Sequence, residues 1–173
     1  AFVNGVLDPQ AVQVTLVQNN VQVTVVDSAG GLGTGTESGV SNSFNVGHGT
    51  LASFTVEASG GGNIPTQIVS SAFTIRVTAR DAFSNVVTAF SGAGNTVIIT
   101  DSTGTIDDPV PPLVSGVFTA GVRIESVTVS APLVGDVITV VDSAGGLGTG
   151  VETGSSNGFN VEVNPAALAQ FVF

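Results

Sequence analysis

An all-β fold, a sandwich of short strands, is what this sequence predicts, on three observations. Apolar and polar residues alternate with a period of two in short segments, as they do in strands buried on one face. Those segments are rich in Val and Thr, whose branched side chains fit a pleated surface, and Gly, Asn, Asp and Pro separate them. A module of about 115–117 residues, within the usual size of one domain, repeats along the chain. No segment calls for a helix.

The repeat sets the organisation. Residues 24–35, TVVDSAGGLGTG, recur unchanged at 139–150, an offset of 115. Beyond them Glu37 matches Glu152, Gly39 matches Gly154, and Ser41-Asn42-x-Phe44-Asn45-Val46 matches Ser156-Asn157-x-Phe159-Asn160-Val161. Upstream, Phe2, Gly5 and Val6 match Phe118, Gly121 and Val122 at an offset of 116; downstream, Leu51-Ala52-Ser53-Phe54 resembles Leu168-Ala169-Gln170-Phe171 at an offset of 117. The phase makes residues 1–46 the C-terminal part of one module, 47–53 a linker, 54–161 a complete module, and 162–173 a linker with the first strand of the next. A part-module of final strands cannot cover its own apolar face, so it borrows strands from a neighbour or stays exposed.

The elements follow in order. Val12, Val14 and Leu16 alternate with Gln13 and Thr15, then Val21, Val23 and Val25 with Gln22 and Thr24, which predicts two strands in the first part-module. In the complete module strands are predicted near 52–58, 71–80, 86–90, 96–101, 117–130, 137–142 and 156–162. The second of these places Phe73, Ile75, Val77 and Ala79 on one face and Thr74, Arg76, Thr78 and Arg80 on the other. About seven strands in ~100 residues is the count of an immunoglobulin-like sandwich.

Composition excludes several function classes. The 173 residues carry a formal charge of −10; the three basic residues are Arg76, Arg80 and Arg123, and there is no Lys. Such a chain is repelled by phosphate backbones and anionic headgroups, so neither nucleic acid nor a membrane surface is an expected partner. Its apolar residues are scattered through Thr, Ser and Gly with no run near ~18 residues, so no membrane insertion is expected and the chain reads as soluble. The N-terminal AFVNGVLDPQ lacks the basic start and apolar stretch of a secretion signal, which reads as a removed signal or a segment of something longer. No Cys is present, so neither disulfides nor thiolate chemistry is expected.

The string Phe73-Thr-Ile-x-Val-Thr-Ala-x-Asp81-Ala-Phe83-x-Asn85-Val-Val87, followed by Gly116-Val-Phe118-x-x-Gly121-Val122, Ile138-Thr-Val-x-Asp142 and Ser156-Asn157-x-Phe159-x-Val161, resembles the bacterial immunoglobulin-like repeats of large secreted and surface proteins. Invasin- and intimin-type adhesins carry similar units. The resemblance spans the chain in its shifted phase and implies an extracellular array in adhesins, surface layers or appendages. Family modules often carry Gly before the Asn, where this chain has Ser84-Asn85.

Chemistry-bearing motifs are sparse. The Gly-rich strings at 30–35 and 145–150 could cradle an anion, but no Lys and no following helix accompany them, and they read as strand connections. His48, the one histidine, sits in a Gly-rich linker, away from any nucleophile elbow. The Asp107-Asp108 pair, Asp81 with Asn85, and Asp101 are candidate Ca²⁺ ligands, since that ion takes carboxylate and carbonyl oxygens; turn residues are the favoured reading. Asp27 and Asp142 read as turn residues that end strands. With neither Trp nor Tyr the chain lacks the usual aromatic platform for sugars, and no cleft carboxylate pair suggests a glycosidase. No cofactor is expected beyond candidate Ca²⁺, no enzyme activity is expected, and no Asn-x-Ser/Thr sequon is present.

The expectation is an extracellular, cell-surface structural repeat. Its partners are copies of itself or neighbouring modules of the same array, with contacts carried by Phe2, Val12, Val14, Leu16, Leu168, Phe171 and Phe173. Strand complementation between separate subunits and a window on a longer covalent array fit the sequence equally. The alternative is a stalk or binding module of an adhesin that recognises a protein or glycan on a host or neighbouring cell.

Overall fold

Residues 2–28, 30–106 and 113–164 are described by the structure, a computed structural model, and every helix-or-strand element among them is a β-strand. The strands divide between two units, Ala1–His48 and Gly49–Phe173. The first unit holds β1 (Gln18–Val21), β2 (Thr24–Val26), β3 (Ser38–Val40) and β4 (Phe44–Val46). β1 pairs antiparallel with β4, and β2 with β3, so the four are two stages of one long hairpin.

The second unit holds β5 (Ser53–Ala58), β6 (Gln67–Ile68), β7 (Phe73–Arg80), β8 (Val97–Asp101), β9 (Leu113–Val114), β10 (Val122–Val127), β11 (Leu133–Asp136), β12 (Ile138–Asp142), β13 (Thr153–Ser155) and β14 (Phe159–Glu162). They make three sheets, ordered β10-β7-β5, β13-β12-β8-β9 and β11-β14-β6. The β14–β6 pair is parallel; the other ladders are antiparallel. The sheets pack face to face, as a β-sandwich does, around one apolar core.

Sequence period explains the packing. Along β7, Ile75, Val77 and Ala79 are buried, while Arg76 on the opposite face meets Glu57, its register partner on β5, at 2.7 Å. Every buried apolar side chain among the described residues lies between Leu51 and Val161. At the centre Phe54, Phe90 and Phe118 meet one another with centroids 4.9 to 6.1 Å apart, and Phe73 meets Phe159 edge-on across the sheets. Each such ring contributes roughly 1.5–3 kcal/mol by leaving water.

Several predicted strands differ. Residues 86–90 form turns: Val87 and Phe90 are buried, which produced the apolar signal, but only Val86 makes a bridge, to Arg80. The chain reaches them through Ser84, whose φ of +66° lies in the region that favours glycine, the residue the resemblance places there. The segment 117–130 is interrupted by a tight turn at Ala120-Gly121, both at positive φ, so its strand is confined to β10. Residues 12–16 form no strand. Their counterparts in the second unit, 127–131, start at the last residue of β10, where Val127 pairs with Phe73 of β7 and Val129 bridges Ile106. Among the described residues of the first unit no strand takes the part of those partners. The predicted linker 47–53 is partly structural: the Gly49 amide donates to Asp81 and Leu51 is buried. The predicted strand through Val21, Val23 and Val25 is divided between the end of β1 and β2, and β3, β4, β6, β9, β11 and β13, each of two to four residues, lie outside the predicted strands.

Candidate functional site

The repeated segment is the feature of the chain with the most to say about function. In the first unit the pairs are Gln18↔Val46, Val21↔Phe44, Thr24↔Val40, Val25↔Gly39 and Val26↔Ser38; in the second they are Leu133↔Val161, Asp136↔Phe159, Thr139↔Ser155, Val140↔Gly154 and Val141↔Thr153. Each pair is displaced by 115 in both members. The upstream turn repeats too: Val3 and Val6 exchange backbone hydrogen bonds across Asn4-Gly5, as Thr119 and Val122 do across Ala120-Gly121.

Local hydrogen bonds explain why the hairpin keeps its shape in both settings. The amide of Gly35 donates to Asp27 at 2.9 Å, and that of Gly150 to Asp142 at 2.8 Å. A side chain at Gly33 or Gly148 would collide with those carboxylates, so each Gly-rich loop is wrapped around its own aspartate. That places a carboxylate where an anion-binding loop would hold its ligand. Thr34 donates its amide and hydroxyl to Glu37, as Thr149 does to Glu152. The Thr34 hydroxyl, foremost among these donors, lowers the Glu37 pKa to about 2. At the break between stages the Ser41 hydroxyl accepts from the Val23 amide, and the Ser156 hydroxyl from that of Ile138.

The two copies differ in what lies over them. In the second unit Ile138, Val140, Phe159 and Val161 are core residues, and β5 passes so close that a Cβ on Gly154 would sit 2.2 Å from the carbonyl oxygen of Phe54. A Cβ on Gly39 would meet nothing within 4 Å. Phe2, Val12, Val14 and Leu16, four of the predicted contact residues, are exposed apolar side chains of the first unit. Leu168, Phe171 and Phe173 lie outside the described residues. Phe2, Val25 and Gly39 line an open groove of about 410 Å³. The Gly39/Gly154 match was legible in the sequence, but what it marks, a backbone crossing, was not.

Of the candidate calcium ligands, Asp81 and Asn85 bracket the turn that follows β7, and Asp101 ends β8. Asp81 accepts from the amides of Gly49, Phe83 and Asn85 at 2.8 to 2.9 Å and from the Asn85 side chain. These donors, the Gly49 amide foremost, lower its pKa to about 2. Asp101 accepts from the amides of Thr103, Thr105 and Ile106 and from the Thr103 hydroxyl. Asp107 and Asp108 lie outside the described residues. Asp136 was not singled out by the sequence. It is fully buried; Oδ1 accepts from the Ser102 amide, and Oδ2 has no partner among the described residues. Burial, aided by the nearby Asp101 charge, raises its pKa. Among the described residues no three His, Cys, Asp or Glu side chains gather as they would around a metal ion. The chain matches no protein-family model and no curated protein.

Proposed function

We propose that the chain is a structural repeat of an extracellular filament, stalk or surface array, built from immunoglobulin-like modules joined head to tail. One observation carries the reading: the same hairpin occurs twice in one register, once inside a complete sandwich and once with its equivalent apolar positions exposed (Val25, Phe44) or half-buried (Val23, Val46). A unit of that kind calls for a neighbour, and heterologous contacts that do not close give linear assemblies. The sheet order supports the immunoglobulin-like description. β5, β7 and β10 take the places of strands A, B and E, and β8, β12 and β13 those of C, F and G. The carboxylates near the turns act as staples of the scaffold.

Negative-stain electron microscopy of the native assembly, coupled to the intact mass of its denatured chain, tests the reading. Filaments that dissolve to a chain near 17.1 kDa mean separate subunits, and a much larger mass means a covalent array. Absence of any assembly overturns the proposal.

A further inference from the structure

We infer that the exposed inner face of the first unit is a docking site for a chain segment of the same kind as residues 49–117, supplied by another module. The inference rests on reading the chain as a repeat and adds which part of a neighbour binds, where, and in what register. Phe2, Val12, Val14, Val25 and Phe44 are 37% to 66% exposed, whereas their counterparts Phe118, Val127, Val129, Val140 and Phe159 are at most 4% exposed. Within the second unit the core that covers those counterparts is completed by Leu51 to Ile106, on β5, β7, β8 and their connections. Val25 and Phe44 sit in the same backbone register as Val140 and Phe159, so the hairpin's apolar face takes the same cover.

Two further features fix how the cover lies. β12 is flanked by β13 and β8, while among the described residues β2 pairs with β3 alone, so one edge of β2 is open there. The Asp27 amide donates towards β3, to Glu37, and strand amides alternate in direction, so those of Thr24 and Val26 point to the open edge. By the register of β12 on β8, a β8-like strand would set its residue equivalent to Thr100 opposite Thr24 and that equivalent to Ile98 opposite Val26. Gly39 is the second feature: it leaves clear the space that the Phe54 backbone fills above Gly154, so a β5-like strand crosses there. A second copy of this same chain is a poor occupant. Its residues 49–117 are already covered by its own hairpin, and docking would release as much apolar surface as it buries.

The test is the 173-residue chain extended at its N-terminus by a second copy of residues 49–116, which puts the cover directly ahead of Ala1. Hydrogen exchange is read at the amides of Thr24 and Val26, and native mass gives the oligomeric state. Docking slows both amides at least tenfold relative to the 173-residue chain, and Gly39→Ala in the extended chain restores fast exchange. Unchanged exchange overturns the proposal, as does protection indifferent to Gly39→Ala, or protection already present in self-associated 173-residue chains. Should the extended chain not fold, a separate polypeptide of residues 49–117, refolded from urea with the 173-residue chain, reads the same amides with the same outcomes. Protection without filaments leaves the docking and removes the filament; filaments without protection remove the docking alone.

Discussion

Two buried aspartates of the second unit have opposite effects on its stability. Asp81 is held ionised by its donors, with a pKa of about 2 against an ordinary 3.8, so the stability it confers is complete above about pH 4 and is lost as pH falls towards 2. Asp81→Asn therefore lowers the melting midpoint at pH 7 and makes its decline between pH 4 and pH 2 shallower, which calorimetry over that range would show. For Asp136 the sign reverses. Its pKa is raised by burial and by Asp101, so its contribution is favourable at low pH and is lost as pH rises through the folded-state value. Asp136→Asn removes the buried charge and raises stability at pH 7 by about 1 kcal/mol, roughly 3 °C in the midpoint. The gain shrinks on acidification, a trend a melting series at pH 3 to 7 would record. Val21 stands at the equivalent place in the first unit, so the repeat itself tolerates an uncharged residue there.

At the scale of the hairpin, the same substitution has two expected results. Gly154→Ala forces a methyl group against the Phe54 carbonyl and costs about 1–3 kcal/mol, as overpacking does. Gly39→Ala leaves the isolated chain unchanged within about 0.5 kcal/mol, the ordinary range for surface positions. Urea unfolding of the two variants checks the contrast. These strands also show what the sequence made legible. Strand β7 could be read from alternation alone because one of its faces is core and the other is largely half-buried or exposed. The segment around Val12 and Val14 has an equally clear pattern and forms no strand, because a ladder needs a partner and a period-two pattern cannot say whether one is present. Phe90 misled in the other direction: burial made its neighbourhood apolar, while a left-handed residue at Ser84 had already turned the chain.

At the scale of the molecule, stability is concentrated in one core. Because all buried apolar side chains of the described residues lie between Leu51 and Val161, and Phe90 sits among Phe54 and Phe118, Phe90→Ala should cost about 3–5 kcal/mol. Denaturant unfolding followed by far-ultraviolet circular dichroism measures it. The sandwich was legible from composition, alternation and repeat, which report burial. Asp81 and Asp101 were legible only as acidic turn residues, since their partners are mostly backbone amides placed by the fold. The parallel pairing of β6 with β14 has a mechanical consequence for a chain under tension. Between Gly49 and β6 lies β5, held to β7, and once β5 has yielded, tension between the N-terminal side of β6 and the C-terminal side of β14 pulls these two strands past each other lengthwise. The hydrogen bonds between them, including the one donated by the Val69 amide to the Glu162 carbonyl, are loaded together in shear and do not unzip one at a time.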